Sequence, residues 1–380
     1  MEFDFSEELK QLRDTARDFL ADRCQTSVAR RVIDEGLTHD AGLWREMAGM
    51  GWLSATIPEQ HGGLGLGPLA VCVLAEEIGR AIAPVPFASS VYLATEALLQ
   101  FGSPQQQRDF LPKLADGSSI GTVAISERVG PLVPEQFDTV FADGYVDGEK
   151  VAVVDGTIAD FAIVAGRYAS GGPALLLVDL SDAAIKRVPQ DTIDPSRGHA
   201  TFRFETCPAE LLPGAIGGTA IRNMIDRAAV MMAFEQIGVA SSALEMACTH
   251  GKERFAFGRP IGSFQAIKHK LADVYVALEL ARSNSFYGAW ALESGGDELP
   301  LAAATSRVAA CEAGWMATKE NIQTYGGMGF TWELDCHLYY RRAELLRLAL
   351  GGTREWKRRL MRAYRAQQNY DHAAAAGEAR

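Results

Sequence analysis

The chain has 380 residues, 48% of them hydrophobic, and a formal net charge of −11. That length accommodates two or three domains around a large core. The acidic balance, with no basic stretch to neutralise phosphates, excludes a nucleic-acid partner. No apolar run reaches the ~18 residues of a membrane helix, and MEFDFSEELK lacks the apolar segment of a signal peptide. The six cysteines form no CxxC pair, so reduced thiols and a cytoplasmic location are expected.

Residues 1–118 read as helical. Ser6 is placed to cap a helix with an apolar face of Leu9, Leu12, Ala16, Phe19 and Leu20. The turn PEQHGGLGLGP interrupts the pattern, which resumes over Leu69–Ile82. This turn is no dinucleotide fingerprint: no strand precedes it, and Pro68 takes the place of the last glycine. Ser103-Pro104 marks another helix start.

Residues 119–213 change texture. Short runs such as GTVAIS, KVAVVDG, FAIVAG, ALLLVDL and ATFRFE alternate with turn signals, and nothing long and helical separates them. An antiparallel sandwich or barrel is expected.

Residues 214–380 return to helix, with long spans over Thr219–Phe255, Ser263–Ser294 and Pro300–Tyr325. Small-residue rows allow close packing in a four-helix-bundle-like domain, and the alanine-rich tail is expected to fray. The predicted class is therefore α+β and multidomain: helical, antiparallel β, helical.

Two stretches carry chemistry. In ERFAFGRPIGSFQAIKHKLAD, Arg254, Phe257 and Gln265 flank a helix–turn–helix corner. They form either a buried corner, or a fork, an aromatic ring and an amide gathered for a phosphate and a flat ring. In QTYGGMGFTWE, the glycines serve either as a helix cap or as room for a pyrophosphate against main chain. Metal chemistry has no support, because the histidines are scattered and Cys336-His337 are adjacent rather than spaced as ligands.

Taken together in this order, the motifs resemble the acyl-CoA dehydrogenase family over nearly the whole chain. The family's RxxFGxxIxxxQ is represented by Arg254, Phe257, Gly258, Ile261 and Gln265. Its QxxGGxGFTxE is represented by Gln323, Gly326, Gly327, Gly329, Phe330, Thr331 and Glu333. The resemblance implies FAD-dependent α,β-dehydrogenation of an acyl-CoA thioester, with reoxidation by an electron-transfer flavoprotein. It also implies an oligomer built as a dimer of dimers. Arg254, Phe257, Gln265, Gln323, Gly326 and Gly327 become expected cofactor-binding residues. Ser126, Thr353 and Glu355 join them.

The departures are as informative. LALGGTRE matches the loop where the family carries its catalytic glutamate, and here Gly351 stands in that place. A second position used by some relatives falls on Ala228. Asp226 and Glu235 lie nearby on the same helix and are the remaining candidates for a relocated base. The flavin-contacting TEPxxGSD is reduced to SERVG, which keeps Ser126, and Ala152 and Val154 replace an aromatic and a hydroxyl residue. In the family, the retained elements act on a neighbour's FAD and the weakened ones on the chain's own. The sequence therefore leaves open a self-contained enzyme, a base-less partner in a heterotetramer, and a flavin-free scaffold of the same fold.

Overall fold

A computed structural model describes residues 5–215 and 217–378. The N-terminal part contains α1 (Glu7–Arg23), α2 (Thr26–Asp34), α3 (Ala41–Gly49), α4 (Pro68–Arg80), α5 (Glu96–Phe101) and α6 (Pro104–Ala115). The expected caps are present. The Leu9 amide donates to Ser6 Oγ, and Ser103 with Gln106 forms a reciprocal capping box ahead of Pro104. One feature was not legible: Ala88–Thr95 is wound as a π-helix, fully buried, directly before α5. Such wide turns are rare and collect at functional sites.

Strands β1 (Gly121–Ala124), β2 (Val140–Ala142), β3 (Tyr145–Val154), β4 (Phe161–Tyr168), β5 (Pro173–Asp179), β6 (Ile185–Gln190), β7 (His199–Pro208) and β8 (Glu210–Leu211) form one sheet. The order is β6-β7-β3-β2-β4-β5-β8, with β1 also paired to β4. The sheet is mostly antiparallel, as expected, but β1 and β2 each run parallel to β4. The long stretch between β1 and β4, which contains the β2–β3 hairpin, provides the crossover that parallel pairing requires. Side-chain alternation divides the middle strands between two cores. Phe161, Ile163, Ala165, Leu175 and Leu177 face the helices, while Ala162, Val164, Ala174, Leu176 and Val178 face the β core.

The C-terminal part holds α7 (Gly217–Glu253), a small hairpin of β9 (Phe255–Ala256) and β10 (Arg259–Pro260), α8 (Gln265–Ser294), α9 (Leu299–Tyr325), α10 (Cys336–Leu348) and α11 (Thr353–Glu378). Helix α11 carries the alanine-rich end as helix to Glu378. Alanine's high helix propensity accounts for the continuation. Helix α7 is buried along most of its length and links all parts of the molecule. Its contact with α4 depends on two glycines. A Cβ at Gly238 would lie 1.9 Å from the Glu76 carbonyl oxygen, and one at Gly79 would lie 2.0 Å from that of Glu235. Main chain therefore meets main chain here, and this crossing fixes where Glu235 sits. Among the described residues, no helix is long and apolar enough to cross a membrane.

Candidate active site

A cavity of about 300 Å³ opens between the sheet, the π-helix and the end of α10. It gathers residues far apart in sequence: Leu93 from the π-helix, Ser126 after β1, Ala152 and Val154 from β3, Met232 from α7, and Gly351. Local backbone distortions make this possible. Register slips between Lys150 and Val153, where Ala152 adopts φ +52 and donates its amide to Gln190 Oε1 at 2.9 Å. Such a bulge re-aims the strand toward the cavity. At the far wall Leu350 has φ +57 and Gly351 φ +97, which turns the chain sharply from α10 into α11. This is the break in helix that the sequence showed. Fully buried Arg307 holds it by donating to the carbonyls of Leu346 and Ala349.

The cavity is apolar. No aspartate, glutamate, lysine or arginine lines it, and His199 is its one titratable wall residue among the described residues. Neither Asp226 nor Glu235 reaches it. Asp226 is buried where α7 meets α11 and takes a charge-assisted bond from Arg359 Nη2 at 2.5 Å. Burial pushes its pKa up to about 7, despite the opposing pull of Arg359. Glu235 is 1% exposed, and neither carboxylate oxygen has a hydrogen-bond partner; Arg342 Nη1 lies 3.7 Å away. Burial raises its pKa, against the attraction of Arg197 and Arg342 and the hydroxyl of Tyr92.

Behind the cavity lies an ionic cluster. Asp155 accepts from Arg197 Nη2 at 2.6 Å and from Ser89 Oγ at 2.6 Å. Arg342 donates to Asp194 at 2.6 Å, to Ser196 Oγ at 3.0 Å, and to the carbonyls of Ile82 and Ala83. Burial opposes ionisation of Asp194, but Arg342 and Ser196 outweigh it and hold its carboxyl below the usual range. The cluster joins the π-helix, the sheet loops and α10. Sequence reasoning missed it, because its partners are separated by long stretches and no local pattern marks them.

The remaining expected residues fall in two places. Ser126 is on the cavity wall. Thr353 Oγ1 accepts from Arg347 Nε at 3.3 Å just beyond it, and Glu355 places its Cγ 3.7 Å from where a Cβ at Gly351 would stand. Arg254, Gln265 and Gln323 are all exposed, and their side chains make no hydrogen bond or ion pair among the described residues. Gly326 and Gly327 close α9 beside Gln323. Phe257 is 95% exposed at φ +54 on the tip of the β9–β10 hairpin, followed by Gly258 at φ +79. Two successive positive φ values suit a tight hairpin, but a bulky ring in that conformation is strained. The fork, the ring and the amides thus point away from the chain that carries them.

The family model for the acyl-CoA dehydrogenase N-terminal domain matches residues 6–118, and that for the C-terminal domain matches residues 216–364. The chain is 35% identical over 360 residues to the acyl-CoA dehydrogenase IpdE2 of Mycolicibacterium smegmatis, covering 93% of this chain and 98% of the relative. It is 30% identical to the human short-chain specific mitochondrial acyl-CoA dehydrogenase, covering 94% and 91%. Among solved structures, a variant of the Tcur3481-Tcur3483 steroid ACAD superposes with a TM-score of 0.86 at 32% identity, covering 96% and 99%. The ChsE4-ChsE5 complex of Mycobacterium tuberculosis superposes at 0.88 with 27% identity, covering 95% and 98%. The chain belongs to the acyl-CoA dehydrogenase family, whose members are oxidoreductases acting on acyl-CoA.

Proposed function

We propose that this chain is the base-less subunit of a heteromeric, FAD-dependent acyl-CoA dehydrogenase acting on a steroid-derived acyl-CoA. One observation carries the reading. The cavity that unites Ser126, Ala152, Val154 and Gly351 has no carboxylate on its wall, while Arg254, Gln265 and Gln323 stand exposed and unengaged. A carboxylate removes the α-proton in this chemistry, and an apolar wall cannot. The steroid class and the two-subunit assembly are supported by the relatives' descriptions, a steroid ACAD and a ChsE4-ChsE5 complex.

In this reading the exposed residues serve a flavin held mainly by the second subunit. Arg254 would hold the pyrophosphate with its planar fork, Phe257 and Gln265 would help to hold the cofactor beside it, and Gln323 with Gly326 and Gly327 would leave room for the phosphates against main chain. A flavin held there would supply the acceptor for a hydride from the acyl group. The exposed apolar side chains beside the motif, Phe255 on β9 and Tyr275, Val276 and Leu280 on α8, supply a face for that subunit. The electron acceptor is an electron-transfer flavoprotein.

The test is the visible spectrum and native mass of the chain, alone and co-expressed with a related subunit. The expected result is a colourless chain alone and a flavin-bearing mixed oligomer. Arg254→Ala should then strip flavin from the mixed oligomer. A yellow homo-oligomer with turnover would overturn the proposal in favour of a self-contained enzyme. A colourless mixed oligomer would favour the scaffold.

A further inference from the structure

The two exposed motifs stand on separate helices, and a ring contact joins them at their base. Helices α7 and α9 run in the same direction. Asn321 Nδ2 donates to Met246 Sδ at 3.9 Å, and four residues later on both helices the His250 and Tyr325 rings stack, with centroids 4.0 Å apart and planes 17° from parallel. The motifs begin directly beyond. Arg254, one turn past His250, donates its amide to the His250 carbonyl at 2.9 Å. Gly326, next to Tyr325, closes α9 at φ +64 by donating its amide to the Gln323 carbonyl. Among the described residues, no hydrogen bond, ion pair or ring contact joins the two motifs past this stack.

The stack is not part of the core. Both rings are partly exposed, and the buried apolar side chains that pack the two helices lie further back, at Ala240, Ala243, Ala313 and Ala317. Burial and the neighbouring Arg254 lower the His250 pKa, with Glu253 opposing, so at pH 7 the imidazole stacks as a neutral ring. Two rings held face to face fix the separation and rotation of the helix ends that carry them. A ligand gripped by two elements binds more tightly when those elements are already fixed to each other, because they need not be ordered as it binds.

We propose that His250 and Tyr325 are positioning residues for the dinucleotide: their stack locks the Arg254 motif to the Gln323 motif, so that both meet one pyrophosphate at once. The inference rests on reading those motifs as reaching a flavin dinucleotide. It goes further by naming two residues that touch no ligand and set how tightly one is held.

The test uses whichever oligomer carries flavin, mixed or built of this chain alone. FAD is titrated into the apo-oligomer and followed by flavin fluorescence, with native mass and thermal melting measured beside it. His250→Ala should weaken FAD binding roughly tenfold, with mass and melting temperature unchanged. His250→Phe, which puts back a flat neutral ring, should restore the affinity. In a Gln323→Ala background the loss from His250→Ala should shrink, because one of the two motifs it joins no longer grips. Should His250→Ala fail to assemble, Tyr325→Leu takes its place, with Tyr325→Phe as the rescue. Parent-like FAD binding by His250→Ala, a His250→Phe variant as weak as His250→Ala, or losses that add in full in the double variant would overturn the inference. Absence of flavin from every oligomer of the unaltered chain would overturn it together with the partner reading. Flavin and turnover in the chain alone would end the partner reading only.

Discussion

The cavity and the ionic cluster behind it share a wall but differ in almost every physical respect. The cavity is lined by aliphatic side chains and contains neither carboxylate nor cation. The cluster, a few residues deeper, packs Asp155, Asp194, Arg197 and Arg342, each at most 3% exposed, with Glu235 beside them. Buried charge in this chain therefore joins domains rather than facing a substrate. The family's chemistry needs an acid at the cavity wall. Here the acids that share the region are either paired to arginines or sealed.

The sharpest way to break the contrast is to unpair the cluster. Arg342 is the one side chain that ties α10 to Asp194, Ser196 and two main-chain carbonyls at once. Arg342→Ala should leave Asp194 without its cation, held by Ser196 alone, and two buried carbonyls without donors, at a cost of about 3–5 kcal/mol. Chemical denaturation measures this directly. Acid should imitate it partially: Asp194 has its folded pKa depressed, so the stability it provides is present above the unfolded carboxylate pKa and is lost as pH falls through the folded value. A variant as stable as the parent, with an unchanged acid limb, would mean that the cluster does not hold the domains together.

Placing an acid on the cavity wall probes the other side of the comparison. A Cβ at Gly351 would meet only ordinary contacts, the nearest being Glu355 Cγ at 3.7 Å, so space is not the obstacle. The backbone is: φ +97 lies outside what a side-chain-bearing residue readily adopts. Gly351→Glu should cost about 1–3 kcal/mol and gain no dehydrogenation in the chain alone, as thermal melting and a dye-reduction assay would show. Turnover appearing in this variant alone would show that the base was the single thing lacking.

How far the sequence foretold these regions follows from how local each signal is. The Arg254–Gln265 and Gln323–Gly327 motifs are contiguous, so their spacing marked the chain reversal and the helix end there. The helix break at Gly351 was equally readable, because one loop holds it. The cluster was not, since Asp155 finds Arg197, and Asp194 finds Arg342, only once the sheet and α10 are packed. His199 gave no sign either; RGHATFRFE reads as a plain strand start until its neighbours show that one face opens on a cavity. The parallel pairing of β1 and β2 with β4 was hidden for the same reason, because strand direction is set by the route of the connecting chain.

Glu235 offers a smaller effect of opposite sign. Its carboxylate is buried without a hydrogen bond, and its folded pKa is raised by burial. An acid with a raised folded pKa is easily accommodated when protonated, and it destabilises the fold as pH rises above the unfolded value. Glu235→Gln removes that charge with little change of shape. It should be neutral near pH 4 and stabilising by about 1–3 kcal/mol at pH 8, read from denaturation curves at the two pH values. A loss of stability at pH 8 would mean that Glu235 is ionised and paired with Arg342 after all.

Asp226 should matter least, and the reason separates it from the cluster. Its pKa stands at about 7 although Arg359 donates to it at 2.5 Å, so the penalty for burying the carboxylate exceeds what the pair returns. Arg359 also keeps other partners: it lies over the Trp356 ring at 4.4 Å and reaches the Arg222 carbonyl at 3.4 Å. Asp226→Asn therefore leaves no stranded cation. Its effect on stability at pH 7 should stay within about 1 kcal/mol. In the mixed oligomer it should also leave the rate of acyl-CoA oxidation unchanged, since no atom of Asp226 lines the cavity. A large fall in rate without a fall in stability would place the catalytic acid on α7 and return the chain to the self-contained class.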